Sequence, residues 1–415
     1  MRILVLIEIA SLGGHALSAL TTGRELKRRG HEVEFAGGEG PLRKEIEKEF
    51  HFQELTYCYE HAGRQTYFTW HSLKTLEQLS NIVEKWKPDC IHAFDARSHI
   101  LASIVSIQRQ VAVNCTLCGG IAPYYNVPLL GKIIVFSPEQ KEKLIKVFGW
   151  KERNIEIINS RLDMEQFDRT QEDEVDRLYR EHGININDKN IMMITNFLGP
   201  KVEAIKQVLE VIRGILPKYA EARLIIIGGG GDFFQKAQEI KKSINVKCGR
   251  EGVVFTGPIM NAHKFLAKSY MVLGVGRSAF EGMAYRKPTL IVGEKGFAGA
   301  VSEKTIKEIS YYNFSGRNNR DMKKPQDLAM EIERLLVDKN YYESARNFGI
   351  EFLRRFIDIK AGIERIEEVY RANAIFAGTT SRIYRVLNMI RVLTPIIFDN
   401  YYNQVKSKLL PGSMG

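Results

Sequence analysis

The most constraining feature of this chain is a recurring unit: a short apolar run rich in Val, Ile and Leu, a glycine or polar turn, then an amphipathic stretch. In the first 160 residues the runs are RILVLIE (2–8), EVEFAG (32–37), CIHAF (90–94), VAVNCTL (111–117), KIIVFS (132–137) and IEIIN (155–159). Several show no polar alternation, as strands covered on both faces do. Amphipathic stretches such as 16–29 and 138–147 lie between them. Strand and helix in alternation predict a parallel, doubly wound sheet.

A polar segment, DRTQEDEVDRLYREHGININDKN (168–190), reads as a connection carrying one helix. The pattern then restarts with NIMMITN (190–196), ARLIIIG (222–228), GVVFTG (252–257), YMVLGV (270–275) and KPTLIVG (287–293). Helices are expected over 201–217, 232–246, 261–268 and 278–285, with more from 326 to 374. The expected fold is therefore α/β: two Rossmann-like doubly wound domains facing across a cleft, with C-terminal helices. The expected division is 1–165, 166–355, and a final segment 356–415 that crosses back and ends in a basic amphipathic tail. Domains of roughly 100–200 residues fit this length. Open α/β sheets bind ligands beyond the carboxyl ends of their strands, so function is sought in those loops.

Composition narrows the partners. Lys and Arg number 60 against 49 Asp and Glu, a net charge of +11. That balance favours anions such as nucleotide phosphates or acidic lipid. The basic residues are spread out and no zinc-finger or RNP signature occurs, so nucleic acid is not an expected partner. No run approaches the ~18 apolar residues of a membrane span. The opening MRILVLIEIAS is broken by Glu8 and reads as a buried strand rather than a signal peptide. Five scattered cysteines (58, 90, 115, 118 and 248) make no disulfide scaffold, which points to the cytoplasm. The pair Cys115 and Cys118 is followed by Gly119-Gly120 and reads as structural.

Four turns could carry chemistry. Gly13 and Gly14 end the first strand and open a helix, where exposed N–H groups attract phosphate. Lys201 opens a helix after Gly199-Pro200; a cation at the positive end of a helix makes sense beside a bound anion. Gly228 to Gly231 form a second glycine turn. SAFE, Ser278 to Glu281, fits a capping box in which the glutamate returns to its own helix start. Its alternative role is to accept two hydrogen bonds from the vicinal hydroxyls of a ribose. His92, Asp95 and His99 lie at and after one strand end, and Cys118 with Gly119 at the next; His92, Asp95 and Cys118 are the catalytic candidates. No D-x-D ends a strand and no set has metal-ligand spacing, so no metal and no cofactor is expected.

With these loops in place, the chain resembles the retaining glycosyltransferases of family 4, of the GT-B fold, over residues 1 to 374. The resemblance rests on the order of GGHALSALTTGRELKRRGHEVEF, KPDCIHAFDA, FSPEQKEKLIKVFG, IEIINSRLDMEQF, LIIIGGGG, VVFTGPI and GRSAFEGMAYRKPTLIVGEKG. It implies that Gly13 and Gly14 approach the donor diphosphate, that Lys201 binds it, that Glu281 holds the donor ribose, and that the loop around Gly257 lies near the base. Gly228, Arg277 and Ser278, read from the loops themselves, complete the candidate donor set. The chain departs from the family pattern at Leu273, which replaces the first glutamate of E-x7-E, and at Asn196, Cys118 and Arg161. Arg277 and Arg161 are the expected substitutes for the missing positive charge. The implied activity is sugar transfer from a nucleotide-diphosphate sugar to a glycan or lipid-linked acceptor, retaining and metal-independent, in cell-surface polysaccharide or glycolipid synthesis. A nucleotide-sugar-binding protein with little transferase activity, or a nucleotide-sugar epimerase of similar fold, stands as the alternative.

The tail SRIYRVLNMIRVL places Ile383, Val386, Leu387, Ile390 and Leu393 on one helical face and Arg382, Arg385, Asn388 and Arg391 on the other, with Pro395 ending the run. Such a helix either lies on the anionic inner face of a membrane or packs on the N-terminal domain.

Overall fold

The computed structural model describes residues 1–57, 72–119, 125–319 and 325–409. Cys58 and Gly120 lie outside them. The chain forms two compact units: Met1–Arg161 with Ile359–Gly415, and Leu162–Asp358. The divisions fall a few residues from the expected 165 and 355.

The first unit is built on a seven-stranded parallel sheet: β1 (Arg2–Ile9), β2 (Glu32–Gly38), β3 (Phe52–Glu54), β4 (Cys90–Ala93), β5 (Ala112–Leu117), β6 (Ile133–Val135) and β7 (Ile155–Ile157). Their spatial order is β3-β2-β1-β4-β5-β6-β7. Ile3 to Ile7 have no solvent exposure, which is why this run lacks alternation. Ile3 pairs with Val33 on one side and Cys90 on the other, so β1 and β4 are neighbours although β2 and β3 separate them in sequence. β3 was not expected: its three residues are too few for a pattern, and it forms because Phe52 pairs with Phe35 of β2.

Helix Ile359–Thr379 belongs to this unit and buries Ile359, Ile363, Ile366, Val369 and Tyr370 at helical spacing. The terminal helix, Arg382–Leu409, follows. Its packed side runs through Met389, Val392 and Ile396 onto Ile100 of helix Ala96–Arg109. One expectation fails here. Pro395 lies inside this helix and does not end it. Val392 and Ile396 on either side are fully buried, and that packing outweighs the one lost backbone bond. The helix also faces opposite to its polarity: Arg385 and Asn388 are buried, whereas Ile383, Val386, Leu387 and Ile390 are exposed.

The second unit has a six-stranded sheet: β8 (Lys189–Ile194), β9 (Ala222–Ile227), β10 (Val253–Gly257), β11 (Met271–Gly274), β12 (Thr289–Gly293) and β13 (Gly296–Ala300). The order is β10-β9-β8-β11-β12-β13, parallel except for β13, which runs antiparallel to β12. β13 reads GFAGA, with almost no intrinsic strand preference. It is held by the hairpin from β12 and by Gln207, whose Oε1 accepts the Phe297 N–H at 2.6 Å. The polar connection contributes helix Glu172–Glu181, docked by buried Val175 and by Tyr179, whose hydroxyl donates to the Phe265 carbonyl at 2.7 Å. The segment Ala262–Lys268, expected as an α-helix, is a 3-10 helix.

Candidate functional site

In the second unit the chain leaves β8 toward β9 on one side and returns to place β11 on the other. The carboxyl ends of β8 and β11 therefore form the switch point, where successive loops diverge and leave a crevice. Lys201 opens helix Lys201–Ile215 directly after the β8 loop. Pro200 occupies the N-cap position and offers no side-chain hydrogen bond. Among the described residues no carboxylate pairs with Lys201, an exposed residue whose ammonium is partly desolvated, which lowers its pKa below the usual lysine value. An unmatched cation on a positive helix end is an anion-binding arrangement.

The β9 turn ties neighbouring loops together. The Gly228 N–H donates to the Gly257 carbonyl at 2.9 Å, and Thr195 N–H donates to the Ile227 carbonyl at 3.0 Å. Gly228 has φ 136°, and a Cβ there would stand 1.8 Å from the Thr195 carbonyl oxygen. Only glycine fits where these backbones meet. This joins Gly228 and Gly257 in one junction beside the Lys201 loop.

On the β11 side, helix Arg277–Ala284 starts from Gly276, the N-cap, with φ 51°. The capping box is therefore not formed. Ser278 lies inside the helix, where its hydroxyl accepts from Val275 N–H at 3.3 Å and donates to the Val275 carbonyl at 3.0 Å. Glu281 does not return to the helix start: its Oε1 accepts from Arg277 Nε at 2.9 Å. Helical spacing of four puts the two side chains on one face. Arg277 is thus matched to Glu281 rather than standing apart as a diphosphate cation. Among the described residues no hydrogen bond reaches the other carboxylate oxygen, Oε2.

His263 joins this group, and the sequence reading missed it. Burial lowers its pKa, Glu281 opposes that shift and Arg277 adds to it, so the three interact electrostatically. The signal was a histidine just after the β10 turn, on a segment whose other features all read as helix.

The first unit has its own switch point, between β1 and β4. Gly13 caps helix Gly14–Arg28 with φ −74°, a conformation open to any residue, and its N–H bonds Ser11 Oγ at 3.2 Å. A Cβ on Gly14 would meet nothing within 4 Å. Asp95 caps helix Ala96–Arg109 by accepting from Ser98 N–H at 2.7 Å, and also accepts from the Glu8 N–H at 2.9 Å. Arg97 donates to Glu8 Oε1 at 2.9 Å. Burial raises the Glu8 pKa, Asp95 raises it further, and Arg97 opposes both. Glu8 was read only as a charge breaking a signal peptide; the fold makes it the carboxylate of a half-buried polar cluster.

Two histidines expected near the chemistry are structural. His92 has no solvent exposure, and its nitrogens are occupied by Tyr370 Oη at 2.6 Å and Thr116 Oγ1 at 2.8 Å. Burial pushes its pKa down to about 3. His99 is buried against the Pro128 carbonyl at 2.9 Å, with a pKa of about 4. Neither can meet a substrate. Burial also raises the Cys118 thiol, which makes a poor nucleophile. Arg161 belongs to the first unit, is only 7% exposed and stacks over Phe136 with its guanidinium carbon 4.1 Å from the ring centroid. It is a buried cation packed on an aromatic ring.

Two doubly wound sheets, each with its switch point built from polar and glycine turns, define the GT-B class. Residues 12–166 match the model of Glycosyltransferase Family 4. N-acetyl-alpha-D-glucosaminyl L-malate synthase of Bacillus anthracis is 23% identical over 277 residues, 63% of this chain and 70% of that protein. A glycosyltransferase from Rickettsia africae superposes with a TM-score of 0.67 at 14% identity, covering 90% of this chain and 98% of that one. The UDP-GlcNAc 2-epimerase of Neisseria meningitidis, solved bound to UDP-GlcNAc, gives 0.61 at 14% identity, with 89% and 99% covered. Together these show the GT-B fold for the chain and a similarity of residues 12–166 to Glycosyltransferase Family 4.

Proposed function

We propose that this chain transfers a sugar from a nucleotide-diphosphate sugar to a glycan or lipid-linked acceptor, with retention at the anomeric carbon and without a metal or other cofactor. The observation that carries the reading is the switch point of the second unit. Among the described residues it offers a cation without a carboxylate partner, Lys201, on one side and a carboxylate with an open oxygen, Glu281, on the other. In this reading Lys201 and the start of its helix hold the diphosphate, and Glu281 Oε2 accepts from the ribose hydroxyls while Arg277 fixes Oε1. Gly228 and Gly257 keep the floor of the site free of side chains, and Ser278 holds the turn. Fixed positive charge at the diphosphate stabilises the leaving group as the glycosidic bond forms. The donor phosphate takes the acceptor proton, so no side-chain base is assigned.

In this reading the first unit binds the acceptor, and the Glu8–Arg97 pair lies at its switch point. The reading places the reaction in cell-surface polysaccharide or glycolipid assembly, at the inner face of the membrane. The nucleotide complex of the Neisseria protein supports the choice of donor class. Its epimerase activity supports the second reading, in which the same site turns over the sugar without an acceptor.

Titration calorimetry with UDP, GDP and ADP on the full chain, followed by donor turnover with and without EDTA, tests this. Binding of one nucleoside diphosphate and acceptor-dependent, EDTA-insensitive release of it are expected. Binding without turnover leaves a sugar-nucleotide-binding protein, and an epimerised sugar moves the assignment to the second reading.

A further inference from the structure

We infer that the outward face of the terminal helix is a docking surface for an anionic lipid bilayer. Nine of the 19 large apolar side chains that are exposed among the described residues lie between Ile375 and Tyr402. On the helix itself Ile383, Val386, Leu387, Ile390, Ile397 and Phe398 form one stripe, with Ile383 72%, Leu387 60% and Phe398 73% exposed. Stepping about 100° per residue, they fill an arc of roughly 120° opposite Met389, Val392 and Ile396, and the stripe is about 22 Å long. A monomer seldom leaves so continuous an apolar surface in water.

The inner face explains why the helix stays in this orientation. Arg385 donates to the Ser106 carbonyl at 3.0 Å and also to the Ala377 carbonyl. Asn388 donates to the Leu129 carbonyl at 2.7 Å and accepts its N–H at 3.3 Å. Rotating the apolar stripe inward would leave these buried backbone groups unsatisfied. The terminal helix therefore both packs on its unit and presents lipid-compatible side chains outward.

Charge selects the occupant. Arg382 and Arg391 are exposed at the two edges of the stripe. The one carboxylate on the helix, Asp399, is turned inward and accepts from the Tyr125 hydroxyl. Headgroup phosphates would neutralise both arginine edges while acyl chains cover the stripe. Two copies packed stripe to stripe would instead bring their arginine edges together. No helix among the described residues is long and apolar enough to cross a membrane, so the contact is with the surface of one leaflet.

Flotation of the full chain with vesicles tests the inference, using phosphatidylcholine alone and a mixture of about three parts phosphatidylcholine to one part phosphatidylglycerol. Partition into the anionic vesicles is expected, falling at least about tenfold in the quadruple variant Ile383→Ser, Leu387→Ser, Ile390→Ser and Phe398→Ser. Arg382→Glu with Arg391→Glu should remove the preference for anionic over neutral vesicles. These side chains are exposed, so circular dichroism and nucleotide affinity should match the parent chain, which separates this inference from the proposed sugar transfer. Equal partition of the parent and the quadruple variant overturns it. So does a lipid-free dimer that the quadruple variant converts to monomer, since the stripe is then covered by a second copy.

Discussion

Arg277 donates through Nε to Glu281 Oε1 at 2.9 Å, four residues along one short helix, and both side chains are largely buried at 17% and 12% exposure. The pair positions one carboxylate oxygen, and no hydrogen bond among the described residues reaches the other. Glu281→Gln should weaken nucleoside diphosphate binding about 10- to 100-fold, the worth of a hydrogen bond to a charged group. Arg277→Ala should cost less, about three- to tenfold, because it loosens the carboxylate without removing it. Calorimetry on both variants checks the order; a greater loss from Arg277→Ala would make the arginine the ligand.

Lys201→Met should reduce affinity for a nucleoside diphosphate about tenfold or more while leaving a nucleoside without phosphate unaffected. The parent's affinity should fall with added salt, and the variant's should fall less. An equal loss for nucleoside and diphosphate would place Lys201 at the base or sugar.

His92 and His99 make the first unit acid-sensitive. Both pKa values, about 3 and about 4, lie below the unfolded value of 6.5. The unfolded chain therefore binds protons between these limits and the fold does not. The stability is complete above pH 6.5 and is lost as pH falls toward 4, by about 1.4 kcal/mol per pH unit for each histidine. Urea unfolding across this range should show that slope, and His99→Gln should flatten it by about half. An unchanged slope would move the acid sensitivity elsewhere.

Gly228→Ala should destabilise the second unit by about 3 kcal/mol or more, since the new Cβ meets backbone rather than a movable side chain. Gly257 also has positive φ, at 79°, but its Cβ would meet nothing within 4 Å. Gly257→Ala should therefore cost only the conformational penalty, about 1 kcal/mol. Denaturation midpoints of the two variants give the comparison, and similar losses would refute the steric account.

Much of the architecture was legible because it rests on local signals. Ile3 to Ile7 and Leu224 to Ile227 are apolar without alternation, and such runs have few alternatives to a strand buried on both faces. The strands that escaped notice, β3 and β13, exist through their neighbours. Phe52 pairs with Phe35, and the glycine- and alanine-rich β13 is held by β12 and Gln207. Ser278 and Glu281 have the spacing of a capping box, but spacing does not say where a helix begins. Gly276, with positive φ, is the N-cap and Arg277 the first helical residue, so Arg277 takes the glutamate.

By itself the sequence determined two parallel sheets and the turns that end their strands, because hydrophobic periodicity and glycine act over a few residues. Tertiary structure decided which polar groups are available for chemistry. His92 read as a catalytic candidate with His99 near it, and both are sealed by partners from distant segments, Tyr370 among them. Glu8, His263 and the outward stripe of the terminal helix read as ordinary and gain their character from what packs beside them. Burial, pairing and desolvation are set by contacts distant in sequence, and those contacts determine charge and reactivity.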